Sequence, residues 1–473
     1  MTSFLKPQIE TAPLVKPLIN IGCLFDIPTG FYLRGKHGES ILNGGLGAIT
    51  GIVGIGNNFK STVLHYQSLS ALNRIMYAHE SSITTYDTEV NIHENRLIQL
   101  TYKFDYLKDK DIINNGIWSL TDSTIYSGNK WFENLKEYVN RKQEHKKDIT
   151  VEYPFLDRDG KTLLKGLVPT FGEVDSLSEL VTDDVLKMQE DNEIGESGAN
   201  TMHMRLGAAK TRMFMELPVK VIPTYHYMLF TAQQGKDIVM PTGPISAPPT
   251  KKLGYLKNGD KLKGVSDKFF FSTSNVWHNY NSSPLINQGT KSPEYPKNPK
   301  DLVRMDTDLN TVSVRQLRSK TGKTGIVLEI IVSQTEGVLP TLTEFHYIKN
   351  SNRFGIGGTL VNFNIDLYPD LNLTRNTIRS KIDEDEKLRR AINITSELCQ
   401  INEFWSTFDK SLLCTPKELY EDLKKLGYDW SVLLSTRGWW TVNNDKHPIN
   451  FLSTLDLLNM RKGLYKPYWL KEK

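Results

Sequence analysis

The sequence predicts an α/β protein whose core is a mostly parallel, twisted sheet. Three observations carry this. An apolar strand at Ala48–Val53 runs into a glycine-rich turn, a helix from Ser61 to Ala78 and a second strand at Ser82–Thr88, the opening of a parallel α/β unit. Two further apolar runs, Pro169–Asp175 and Tyr225–Ala232, end on or just before an acidic or amide residue, as strands do when their carboxyl ends carry chemistry. The chain is 473 residues long with 39% apolar and 24% charged residues, enough to bury a large core and too apolar for a disordered chain.

The elements follow in order. Residues 1–20 hold Pro7, Pro13 and Pro17 and read as an extended arm, either a frayed tail or an arm that docks on a neighbouring subunit. The segment 101–165 reads as an insertion. It holds a charged helix at Lys136–Lys147 and a hairpin whose strands, Ile149–Tyr153 and one from Thr162, flank a turn at Asp157-Arg-Asp-Gly160. Met202–Leu217 is expected as a helix. Residues 235–268 read as a structureless proline-rich segment with seven lysines against three aspartates, and a loop of that length inside a domain is usually functional or disordered. Val312–Val332 and Thr341–Tyr347 are expected as strands, the first broken at Gly322 and Gly325. The region 351–473 follows a core of 21–350. Within it 410–473 is expected as a small C-terminal domain with helices at Thr415–Leu426, opened by the capping box Thr415-Pro-Lys-Glu418, and at Asn450–Met460. Trp439 and Trp440 are read as core or a protein-contact surface.

The net charge of +4 is mild and favours no partner class by itself. Three cysteines, Cys23, Cys399 and Cys414, are too few and too scattered for a disulfide framework or a zinc site, so a reducing compartment is expected. No signal peptide or membrane-length apolar run is present, which leads to the expectation of a cytoplasmic protein with no membrane partner.

Gly54-Ile-Gly56-Asn57-Asn58-Phe59-Lys60-Ser61-Thr62 lies between strand and helix. Such a turn aims backbone N–H groups at a polyphosphate, and the helix adds its positive end. Lys60 would pair with the β- and γ-phosphates of ATP, and the Ser61 hydroxyl would ligate Mg²⁺. Phe59 stands where the pattern G-x-x-x-x-G-K-[ST] has its second glycine. An NTPase needs one carboxylate for the metal and one for the attacking water. Asp175 is assigned to the metal and Glu89 to the water, with Glu173 a competitor for the metal because it shares a strand face with Asp175. A solvated strand end is the bland alternative for each acid. Gln233 closes a buried strand before the basic segment and can sense a γ-phosphate. Gln234 is adjacent, and the sequence does not separate the two.

Taken together, these residues resemble a RecA-type recombinase of the phage UvsX branch. Ile27-Pro-Thr-Gly30 and Gly44–Gly54 are similar to the family's lead into its phosphate loop, and Phe59-Lys-Ser is similar to the UvsX form of that loop. Tyr86-Asp-Thr-Glu89 is similar to Y-D-S-E with its catalytic glutamate, and Val174-Asp-Ser-Leu177 to the magnesium motif. Glu193–Ser197 with Met202–Ala209 is similar to a first DNA-binding loop (about 190–204) and the helix after it. Thr231-Ala-Gln233 is similar to the glutamine opening the second DNA-binding loop (about 235–268).

The resemblance covers roughly residues 20–335. It implies a RecA-like P-loop ATPase core and a helical filament on single-stranded DNA that pairs it with homologous duplex DNA in recombination and repair, with a single-strand-binding protein and a loader as further partners. Arg318 and Lys320 fall where the family reaches the neighbouring subunit's ATP. Met202 and Met204 would wedge between bases, and Lys251, Lys252, Lys257, Lys261 and Lys263 would pair with phosphates; Tyr255 is a weaker candidate for base stacking. Two departures stand out. Arg96 replaces the tyrosine that stacks on adenine, and the gap between Glu89 and Asp175 is longer than the family's. The competing readings are a hexameric DNA helicase with the same core, disfavoured by the roughly 20 residues ahead of the core, and a non-hydrolysing DNA-binding scaffold.

Overall fold

The structure is a computed structural model that describes residues 15–191, 199–236, 255–256, 260–304 and 307–470. A ten-stranded, mostly parallel sheet organises it. Its strands, in chain order, are β1 (Ile49–Gly54), β2 (Ile83–Asp87), β3 (Trp118–Asp122), β4 (Thr170–Asp175), β5 (His226–Lys236), β6 (Asp260–Leu262), β7 (Asn275–Pro284), β8 (Leu309–Ser319), β9 (Val327–Ser333) and β10 (Gly337–Val338). Across the sheet the order is β10-β9-β8-β7-β1-β5-β4-β2-β3, with β6 paired to β5. The six strands from β7 to β3 run parallel; the β8–β10 wing and β6 are antiparallel.

A parallel strand covered on both faces is apolar throughout, and every residue of β1 is buried. Ile52 joins a cluster on one face of the sheet, with Val63 and Leu69 of helix α1 (Lys60–Met76). Ile49 and Val53 join the other, with Leu135 of α2 (Gly128–Glu144) and Phe214 of α3 (Ala199–Val221).

Several expectations change. Residues 101–165, read as an insertion, supply edge strand β3 and helix α2, and Trp118 is 1% exposed. The hairpin is present as Thr150–Leu156 paired with Leu163–Leu167. The Thr341–Tyr347 strand is a helix, α4 (Pro340–Asn350). Pro340 sits in its first turn, where the missing N–H costs nothing, and Leu342, Phe345 and Ile348 recur at helical spacing on the buried side. The basic segment is not structureless throughout: Asp260–Leu262 pairs antiparallel with Gln234–Lys236, while 237–254 and 257–259 lie outside the described residues. Within the arm, Val15, Leu18 and Ile19 are buried, and Ile19 bridges to Leu46 of the same chain; residues 1–14 lie outside the description.

The C-terminal region packs around α5 (Glu386–Phe404) and α4. The helix from Thr415 is present as Pro416–Lys425 with its capping box, and the last helix runs Thr454–Arg461 behind a second one. The described residues beyond 410 do not form a core of their own. Leu419 and Leu457 pack with Leu342 and Phe345, whereas Trp440, Val442 and Phe451 belong to the cluster under the main sheet. The three cysteines are free. Among the described residues no helix is long and apolar enough to cross a membrane.

Candidate functional site

The carboxyl ends of the parallel strands form one row. Asn279 of β7 is level with Gly54 of β1, Gly54 with Gln233 of β5, and Asp175 of β4 with Asp87 of β2. In such sheets the crevice beyond these ends is where ligands bind.

The turn after β1 is shaped by close contacts. A Cβ on Gly54 would sit 2.4 Å from the Asn279 carbonyl oxygen, so only glycine fits there. The Asn58 amide donates to the Asn279 carbonyl (2.6 Å) and the Asn279 amide to the Asn58 carbonyl (3.0 Å), a reciprocal clasp between turn and neighbouring strand. Phe59, in place of the second glycine, takes the left-handed backbone itself (φ 56°) and leads directly into α1. Asn57 is left-handed as well, at φ 55°. The turn therefore keeps a glycine-like path at a cost of about 1–2 kcal/mol per such residue, with Phe59 partly sheltered against the main core. A Cβ on Gly56 would meet nothing within 4 Å, so the turn stays open on that side.

Lys60 begins α1, and its ammonium donates to the Ile55 carbonyl at 2.7 Å. Desolvation pulls its pKa down from the usual lysine value, while Asp175 and Glu89 oppose that shift. Lys60 thus lies within the field of both predicted acids. Thr231 donates a hydroxyl hydrogen bond to the Asp175 carboxylate, and the Ser61 hydroxyl lies beside that carboxylate. Burial raises the Asp175 pKa, and these two hydroxyls work against it.

Glu89 is exposed. Its carboxylate accepts from Ser176 Oγ (3.0 Å), Asn91 Nδ2 (3.1 Å) and Gln233 Nε2 (3.4 Å). The two glutamines separate. Gln233 faces Glu89, while Gln234 bonds Asp260 (2.8 Å) and His278 (2.5 Å), as adjacent strand residues on opposite faces must. Glu173 does not compete for a metal: it is buried between α1 and β2, bonded to Ser68, Thr85 and His65.

Neither a known protein family nor a curated protein matches this chain.

The remaining predicted residues spread wider. Thr62 lies in the first turn of α1, its methyl 3.9 Å from where a Cβ on Gly337 would stand. Arg96 donates to the Thr335 carbonyl (2.6 Å), in the turn just before Gly337, which borders the start of α1. Arg318 and Lys320 are at the other end of the sheet. Arg318 is level with Val276, which is level with Gly51, and the Lys320 amide bonds the Ser274 carbonyl. They are three or more residues upstream of the row, about 10 Å at strand rise, and do not join the site of their own chain. Met202 is half-buried and Met204 is 70% exposed on α3. Lys261 lies on β6, and the Lys263 stem packs over Gly235. Lys251, Lys252, Lys257 and Glu193–Ser197 lie outside the described residues. Tyr255 bonds the Thr324 carbonyl (3.2 Å) and packs against Gly325.

Sequence reasoning missed four residues. Asp87 accepts the backbone N–H groups of Glu89, Val90, Asn91 and Ile92 at 2.7–2.9 Å and so builds the turn that presents Glu89. Its only signal was its place two residues before the glutamate. Thr88 and Ser176 bond each other across the two strand ends (2.6 and 2.8 Å), beside a cis Asp175–Ser176 peptide. Asn279 carried no local signal, because its partner is 221 residues away. A cavity of about 860 Å³ exists elsewhere, lined by Asp26, Arg74, Glu344, Arg390 and Trp439, and shares no residue with the phosphate-loop site.

The arrangement offers a turn with open backbone, an ammonium, a hydroxyl–carboxylate pair and a second carboxylate held by an amide. A hydroxyl beside a carboxylate is oxygen-only chemistry, which suits Mg²⁺, an ion that keeps most of its waters.

Proposed function

We propose that this chain is an ATP-dependent, single-stranded-DNA-binding recombinase with a RecA-like P-loop core, of the kind its sequence resembles. The observation that carries the reading is the convergence of Lys60, Ser61, Asp175, Glu89 and Gln233 on one turn at the carboxyl ends of parallel strands. Those residues come from three strand ends and one helix start.

Each group has a role. The turn from Gly54 to Phe59 cradles the phosphates, and Lys60 exchanges the Ile55 carbonyl for β- and γ-phosphate oxygens. Ser61 and Asp175 would hold Mg²⁺, which neutralises charge on the phosphate oxygens. Glu89, kept outward by Asp87 and steadied by Ser176, orients the attacking water and draws off its proton. Gln233 bridges Glu89 to the strand that opens into the basic segment, so occupancy of the site and the pose of that segment are linked through one side chain. Arg318 and Lys320, on the far rim, serve the site of an adjoining copy in the helical filament. The basic segment and α3 take single-stranded DNA, then homologous duplex.

Phosphate release with and without single-stranded DNA tests the reading. Wild-type protein should hydrolyse ATP faster with DNA, and Lys60→Ala should abolish turnover while circular dichroism stays unchanged. Wild-type turnover in Lys60→Ala removes the nucleotide assignment. Electron microscopy with ATP and DNA should show long helices; closed rings favour a helicase.

A further inference from the structure

Two residues apart on β4, Glu173 and Asp175 share a face. Ser61, His65 and Ser68 lie at i, i+4 and i+7 of α1 and also share a face. The two faces meet in two rungs. In the outer rung Ser61 lies beside Asp175, close enough to pull its pKa down. In the inner rung Glu173 accepts from Ser68 Oγ on one oxygen, and on the other from Thr85 Oγ1 (2.5 Å) and His65 Nδ1 (3.0 Å). The rungs match in spacing: four helical residues rise about 6 Å and two strand residues about 6.6 Å.

The inner rung is buried and braced. The Glu173 side chain has no exposed surface and that of His65 only 6%. Thr85, on β2, is itself held by the Trp118 indole N–H of β3 (2.8 Å), and the Trp118 ring packs edge-on against His65 at 5.5 Å. One carboxylate therefore ties α1 to β4 and β2, and through Thr85 to β3. A buried carboxylate satisfied by several donors is rigid because losing any one of them leaves charge without a partner.

We propose that Glu173 is a positioning residue for nucleotide hydrolysis: by pinning His65 and Ser68 to β4 it fixes the separation of Ser61 and Asp175 one rung outward. This rests on the nucleotide reading of the site. Glu173 touches no substrate; it acts through the outer rung.

The test compares Glu173→Gln and Ser68→Ala with wild type in DNA-stimulated ATP hydrolysis over a Mg²⁺ titration, alongside thermal unfolding. The Gln variant turns an amide N–H donor toward side chains that themselves donate and should lower kcat by about tenfold, within the range that small misplacements of reacting groups cause, and raise the Mg²⁺ concentration for half activity, with little change in KM for ATP. Ser68→Ala removes one donor and should shift the same two quantities in the same direction by less, and it carries the test if the Gln variant does not fold. A merely structural role predicts less folded protein with wild-type Mg²⁺ dependence, and folded variants with wild-type kcat and Mg²⁺ requirement overturn the proposal. Wild-type protein that releases no phosphate, or that Lys60→Ala matches, overturns the nucleotide reading instead.

Discussion

Lys142 is a basic residue spent on structure. It is 7% exposed on α2, donating to the Val168 carbonyl (2.8 Å) and to Thr170 Oγ1 (2.9 Å), which in turn bonds His226 Nδ1. Among the described residues no carboxylate bonds it, and burial pulls its pKa down to about 7. Burial, with Lys142 beside it, also lowers the His226 pKa to about 3. A lysine with a folded pKa below its unfolded value of about 10.4 binds fewer protons when folded. Its contribution is whole above about pH 10.4 and is lost as pH falls toward 7. Lys142→Met, which keeps the length and drops the charge, should flatten the pH dependence of urea unfolding between pH 7 and 10 by up to about 1.4 kcal/mol per pH unit. An unchanged slope would mean that the amine stays charged in the fold. At this scale the sequence was most informative where chemistry is local. Lys60, Ser61 and Glu89 are legible from their neighbours, and even Phe59 is, since its glycine-like backbone follows from its place in the turn. Asn279 and Glu173 were not, because their partners sit on other elements.

Strand β5 and its partner β6 form the element linking the site to the basic segment. Gln233 is level with Gly54 at the site end, and the ladder to β6 begins at the next residue. The Lys263 amide bonds the Gln233 carbonyl (2.8 Å), so backbone connects the two directly. Replacing Lys251, Lys252, Lys257, Lys261 and Lys263 with Gln should weaken single-strand binding, most at low salt. It should also flatten the dependence of log affinity on log salt by about 0.7 for each phosphate no longer neutralised. Unchanged low-salt binding would remove this segment from the DNA surface. The order strand, glycine turn, helix, strand was readable because period-two and period-3.6 patterns differ. Thr341–Tyr347 misled: its threonines and aromatics suit a strand, and what decided for helix was Pro340 in the first turn and a buried face supplied by α5 and the C-terminal residues.

At the scale of the whole molecule, the region beyond residue 410 is structural to the main sheet. Trp440 is fully buried between Tyr153 and Phe155 of the hairpin, and its amide bonds the Asn20 side chain (3.3 Å). Losing buried aromatics costs about 3–5 kcal/mol each, against a total stability of about 5–15 kcal/mol. Ending the chain at residue 409 should therefore abolish cooperative unfolding, read by circular dichroism against urea. A fragment that unfolds cooperatively and still releases phosphate would make that region a separable domain. The sequence suggested a separable domain because composition changes near 410. Which core a tryptophan joins depends on distant strands, and that cannot be read locally.

The bond between Asn20 and Trp440 spans 420 positions. On a ribosome, Asn20 emerges long before the backbone N–H that will bond it. That part of the core stays open through most of translation, and the closing step is slow because so large a loop must shut. Holdase chaperones that shield the nascent chain should therefore matter more to its yield than the modest net charge suggests.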